Sequence, residues 1–208
     1  MAIAYPISPP AAPTARRIRM RALSVVAVTQ SPFTLTQEAQ VWPGQNWQID
    51  VSLPPMKRPE AEAWLGFLLS LNGMEGTFTL DIPTAKMPRG PAAGTPVADG
   101  TQSARARTLA TKGWTASQTP VLRAGDFIQI GTGADTRLHK VLVDANSDDT
   151  GLASLEIFPG LRATGIADNA AIATANCKNL WRLASNETPW DIDIAQIYGL
   201  EFSANGVV

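Results

Sequence analysis

The chain is poor in the residues that carry chemistry. It holds one cysteine, Cys177, and one histidine, His139. A single cysteine excludes an intrachain disulfide and suits assembly in a reducing compartment. One Cys with one His leaves too few ligands for a zinc site. An excess of charge is missing too: 17 Lys and Arg face 18 Asp and Glu, for a net charge of −1. That balance excludes a broad electrostatic footprint for nucleic acid. No run approaches the ~20 apolar residues that a membrane helix needs, and no fixed-period repeat points to a solenoid. What remains is ordinary globular material. Hydrophobic residues make up 45% of the 208 positions, enough for a core, and the length suits one large or two small domains.

Residues 1–17 carry prolines at 6, 9, 10 and 13 and lack the basic start of a signal peptide. They read as an extended arm in polyproline geometry. Arg16, Arg17, Arg19 and Arg21 follow closely on one another and suggest a solvated or subunit-contacting edge. Residues 18–30, IRMRALSVVAVTQ, are rich in β-branched side chains and stop at the turn signal Ser31-Pro32. A strand is expected over 35–42 and a turn at Pro43-Gly44. NWQIDVSL then returns as the second arm of that hairpin, with Trp47, Ile49, Val51 and Leu53 alternating against Gln48, Asp50 and Ser52.

One helix stands among these strands. Pro59 suits its first turn, and Glu60 and Glu62 complement its dipole. Ala61, Trp64, Leu65, Leu68 and Leu71 form an apolar stripe at helical spacing, and Asn72-Gly73 supplies a left-handed stop. GTFTLDIP resumes as a strand with Phe78, Leu80 and Ile82 on one face. Residues 84–106, rich in Pro, Gly and Ala, read as a long loop or linker. A second β module is expected over 107–175. Within it PVLRAGDFIQIG is a strand, a tight turn at Ala124-Gly125-Asp126 and a strand; RLHKVLVDA and LASLEIFP follow. Turn signals every 8–12 residues suggest a small barrel or sandwich. NLWRLAS and AQIYGLEFSA are the closing strands.

Each candidate for chemistry has a plainer explanation. His139 lies inside a strand pattern and reads as structural; Cys177 lacks the local signature of a thiol–imidazole pair. DANSDDTG opens like a calcium loop, but Asp149 stands where Gly is needed and Leu155 where Glu is needed. Asn, Asp and Gly turn chemistry accounts for the same residues. GTGADTR is a lone G-x-G with no helix after it. Asn186-Glu187-Thr188 fits the glycosylation triplet, which carries no weight without a secretory signal. Six tryptophans, at 42, 47, 64, 114, 181 and 190, exceed what a small core demands. Most read as core anchors and one or two as interface residues, with Trp114 the candidate stacking platform or partner contact. No catalytic, cofactor or metal-binding residue is expected. A β-rich chain without a site fits an assembly component.

SPFTLTQEAQVW, then NWQIDVSLPPMKRPEAEAWLGFLLSLNGMEGTFTLDIP, then VLRAGDFIQIGTG and RLHKVLVDANSDDTGLASLEIFPGLR resemble the distal tail proteins of long-tailed bacteriophages. The resemblance spans roughly 20–205 and rests on the order of parts. It implies a mainly β protein. Residues 18–83 with 176–208 would form a tail-tube-like β-sandwich with one helix packed on the sheet, and 107–175 an inserted β module. It further implies a virion protein assembled in the bacterial cytoplasm. As a ring, usually of six copies, it would join the tail tube above to hub or tip proteins below and enclose a channel that DNA passes without specific binding. The 1–17 arm and the 84–106 loop would reach neighbouring subunits. A tail tube or tail completion protein, and a carbohydrate- or receptor-binding module of the tail tip, are the alternatives.

Overall fold

The computed structural model describes residues 3–207; the first two residues of the expected arm and the last residue of the chain lie outside the described residues. In chain order the elements are β1 (Arg17–Gln30), β2 (Gln37–Ser52), β3 (Met56–Lys57), α1 (Arg58–Ser70), β4 (Phe78–Asp81), β5 (Gly94–Ala98), β6 (Thr108–Trp114), β7 (Phe127–Ile130), β8 (Arg137–Val141), β9 (Ala153–Phe158), β10 (Ile172–Ala173), β11 (Lys178–Leu183), β12 (Trp190–Ile192) and β13 (Ile197–Gly206). The protein is mainly β, with one α-helix and two sheets. The first sheet runs β1-β2-β13-β11-β4, with β3 and β12 pairing the N-terminal half of β13. The second runs β10-β7-β8-β9-β6-β5. It curls almost into a barrel, since Val97 of β5 bridges Ala171 beside β10.

The strict alternation in β2 does what period 2 requires. Trp47, Ile49 and Val51 are buried on the face that α1 covers, joined there by Phe202 and Ala204 of β13 and Phe78 and Leu80 of β4. The helix buries the expected stripe, Ala61, Trp64, Leu65, Leu68 and Leu71, and also Phe67. Phe67 stacks edge-on against both Trp64 and Phe78, at 5.7 and 5.6 Å between ring centroids. Each of the large side chains contributes about 1.5–3 kcal/mol on burial. Asn72 and Gly73 take φ of 51° and 63°, and Gly76 N–H returns to the Leu71 carbonyl at 2.8 Å. That is the left-handed stop read from Asn-Gly.

Four expectations are corrected. Pro43-Gly44 does not turn the chain: β2 runs through it, paired with β1 along its length. Ser24 pairs with Gln45 and Val25 with Trp42, so Pro43 and Gly44 bulge out of the ladder. Proline has no N–H to give a ladder, and a bulge is one place that tolerates it. The chain reverses instead at Ser31–Thr36, where Ser31 Oγ accepts the N–H groups of Phe33 and Thr34. Second, residues 84–106 are not merely a linker. Gly94–Ala98 is the edge strand β5, and the backbone N–H groups of Arg89 and Gly90 donate to the buried Asp126 carboxylate at 2.7 and 3.0 Å. Third, residues 120–123 form no ladder strand; a single bridge joins Leu122 to Ala145. Fourth, the arm is docked on its own domain. Ile7 exchanges backbone hydrogen bonds with Thr77 and Thr79 beside β4, Tyr5 Oη donates to the Ser70 carbonyl, and Pro13 accepts from Trp64 Nε1. A row of buried apolar side chains on α1 leaves a strip that a neighbouring segment must cover, and the arm covers it.

The second sheet is seated on the first through Trp47. Its Nε1 donates to the Leu138 carbonyl at 2.9 Å, and its ring meets Phe158 edge-on at 4.9 Å. Asn179 accepts from Leu138 N–H at 3.0 Å, and Gln45 accepts from Gly160 N–H at 2.9 Å.

Candidate functional site

Beyond Ala22 the β1–β2 hairpin leaves the domain and continues as a two-stranded ribbon. β13 pairs β2 only from Gln48 to Ser52, so from Gln37 to Trp47 the outer edge of β2 has no strand partner among the described residues, and neither has the outer edge of β1. The nine residues from Ala22 to Gln30 carry no charge and no proline. At about 3.4 Å per residue they project roughly 27 Å.

Both faces of this ribbon are exposed; one is apolar, and the other mixes Val25, Ala27 and Trp42 with Thr29, Gln40 and Glu38. Cross-strand partners share a face, so Val26 and Val28 lie with Val41 and Ala39, while Val25 lies with Trp42. Val28 and Val41 are 61% and 65% exposed, and Phe33 at the tip is 94% exposed. An isolated two-stranded ribbon is marginal in water. The edge of β1 from Ala22 to Gln30, without lysine, proline or charge, is of the kind that pairs with another chain, whereas the edge of β2 carries Glu38, Pro43 and the bulge.

Below the ribbon, the face of the first sheet turned away from α1 is polar. Arg17, Arg19 and Arg21 project from alternate positions of β1, and Arg21 pairs with Asp50 at 2.7 Å. Arg17 and Arg19 line an open cleft of about 400 Å³ together with Ser52, Thr188 and Glu201. Arg16 is exposed like the other three, and its N–H closes the ladder on the Ser52 carbonyl. Arg17, Arg19 and Arg21 thus share one face of β1 at the base of the ribbon, where Arg21 is neutralised by Asp50.

Trp114, His139 and Cys177 are interior. Trp114 is buried and donates from Nε1 to Thr111 Oγ1 at 2.7 Å, so it is a core residue of the second module and not a stacking platform. Trp42 and Trp190 are the tryptophans that lie exposed. His139 is buried in β8 with Nδ1 2.7 Å from the Pro159 carbonyl, and burial lowers its pKa from 6.5 to about 4. It is neutral at pH 7. Cys177 is buried against the Phe127 and Ala173 carbonyls, and burial pushes its thiol up to about 11. A neutral buried thiol is a weak nucleophile. Asp148 accepts from the N–H groups of Thr150 and Leu152 and from the Thr150 hydroxyl, which is the turn chemistry of the calcium-like segment. No group of three or more His, Cys, Asp or Glu side chains that could hold a metal ion occurs among the described residues, and no helix there is long and apolar enough to cross a membrane.

The β-branched run over 18–30 marks a strand, but exposure is set by what packs against a strand and not by its composition. Compared with known families and curated proteins, the chain matches no family model and no curated protein at a significant level.

Proposed function

We propose that the protein is a structural subunit of a homo-oligomeric ring at the distal end of a bacteriophage tail, and that the β1–β2 ribbon is its assembly element. The observation that supports this reading is the exposed ribbon with one apolar face and two open edges. A rotation axis parallel to the strands brings β1 of one copy beside β2 of the next in antiparallel sense, the stronger of the two ladder types. Each contact is heterologous, and repetition closes a ring. Such closure removes every open edge of the ribbon at once. The family resemblance adds the rest: six copies, a tail tube on one side, hub or tip proteins on the other, and DNA passing through the centre. The second β module, seated beside the base of the ribbon, is mass that a repeating tube subunit or a tail completion protein does not need, and so favours the distal ring. A receptor-binding module built on Trp114 loses its support with that residue buried.

The test is the native mass of the purified chain with negative-stain images, for the wild type and for Val28→Lys/Val41→Lys. These exposed positions contribute little to the monomer, so the unfolding free energy should stay within about 0.5 kcal/mol, while the ring falls apart. An unchanged ring in the double variant would remove the ribbon from the interface. A wild type that runs as a monomer would leave the ring reading without its premise.

A further inference from the structure

The second module holds a cavity of about 350 Å³ between the turn after β7 and the loop that leads to β10. That is the lower end of the range of small-molecule sites. One part of its lining is apolar: Ile130, Leu161 and Ile166. Another part carries Arg137, Arg162 and Asp135. Asp135 is engaged by Arg162 in an ion pair. Arg137 gives Nη1 to the carbonyls of Ala134 and Thr136 at 3.0 and 2.8 Å. Its Nε is buried and has no hydrogen-bond partner among the described residues. His139, the remaining titratable group of the lining, is neutral. Two guanidiniums against one carboxylate leave one positive charge in a partly desolvated site.

Buried polar groups without a partner are uncommon and call for a ligand, an ion or water. An adjoining cavity of about 30 Å³, bordered by Arg137, Arg162, His139 and Asn179, has room for water only. Water satisfies an N–H but does not balance a charge next to a second guanidinium. A planar acid group does both, because a guanidinium presents paired donors to it. The apolar side of the cavity then asks for more than a bare ion.

We propose that this cavity binds a small organic anion, its acid group held by Arg137 and Arg162 and its apolar body against Ile130, Leu161 and Ile166. The site lies within one copy of the chain and does not depend on ring formation.

The experiment is thermal unfolding of the full chain with hexanoate or inorganic phosphate, against sodium chloride at matched ionic strength. Hexanoate should raise Tm saturably above the chloride reference and more than phosphate does. Arg162→Gln, at a partly exposed position, should fold and should raise the half-saturating hexanoate concentration about tenfold, as loss of one charge-assisted hydrogen bond implies. No rise with hexanoate beyond chloride overturns the proposal. So does a rise that Arg162→Gln leaves unchanged. Phosphate matching hexanoate overturns it as well, since the apolar lining would then contribute nothing.

Discussion

His139 is the only histidine of the chain and sits fully inside the second module. Burial holds its pKa near 4, the Pro159 carbonyl opposes that shift, and the Arg137 charge adds to it. The unfolded chain titrates near 6.5, so between pH 6.5 and 4 the unfolded state binds more protons than the folded one. Stability is therefore complete above pH 6.5 and declines as pH falls towards 4. Between pH 6.5 and 5 the decline should be about 1.5 kcal/mol for one group. Asp135, Asp148 and Asp168 are held below the usual carboxylate range by their hydrogen bonds and charge partners, so they titrate lower still. Urea unfolding at pH 6.5 and 5 checks this; equal stabilities would mean that the imidazole is not buried neutral. Trp64 is the second residue with a measurable share. Trp64→Ala removes ring contacts with Phe67 and Phe202 and the donor to Pro13. The expected loss is about 3–5 kcal/mol by cavity formation, and a loss under 1 kcal/mol in urea would show that the stripe on α1 is not core.

At the scale of elements, the arm changes role most. An extended proline-rich start with no apolar periodicity reads as free chain, and from that reading its removal should spare the fold and weaken only assembly. Docked, the arm adds a parallel bridge to the edge of β4 and lays Ile7 and Ala15 against the first core. Deletion of residues 1–15 should lower the unfolding free energy of the monomer by about 2 kcal/mol or more, from the hydrogen bonds and apolar burial lost together. An unchanged urea midpoint would return the arm to the solvent. The loop over 84–106 shows the same effect of context. β5 is short and proline-bearing, as edge strands often are, and it is held by pairing with β6 and by Asp126 reaching Arg89 and Gly90. Nothing in Pro-Gly-Ala composition marks the partner.

At the scale of the whole molecule, two well-packed cores contrast with one unsupported ribbon. The cores share a seam in which Trp47, Phe127, Leu138 and Phe158 meet. That seam sets the second module against the first sheet just where β2 leaves the domain. The ribbon then extends past any cover the chain itself provides. The monomer buries four of its six tryptophans, at 47, 64, 114 and 181, and still exposes Val26, Val28, Val41 and Phe33, which is why the Val28→Lys/Val41→Lys variant is the sharpest test of the proposed ring.

The alternation in 46–53, the stripe of α1, the Asn-Gly stop and the scarcity of reactive side chains were determined by the sequence alone, because each rests on spacing between near neighbours. The strand partner of 35–42, the fate of Pro43-Gly44, the strand inside 84–106 and the burial of Trp114 were decided by tertiary structure. A Pro-Gly pair suits a turn and a bulge equally, and the choice falls to whichever strand lies alongside. Exposure of the ribbon is of the same kind: a valine carries the same local preference for β structure whether the opposing surface belongs to its own chain or is still to come.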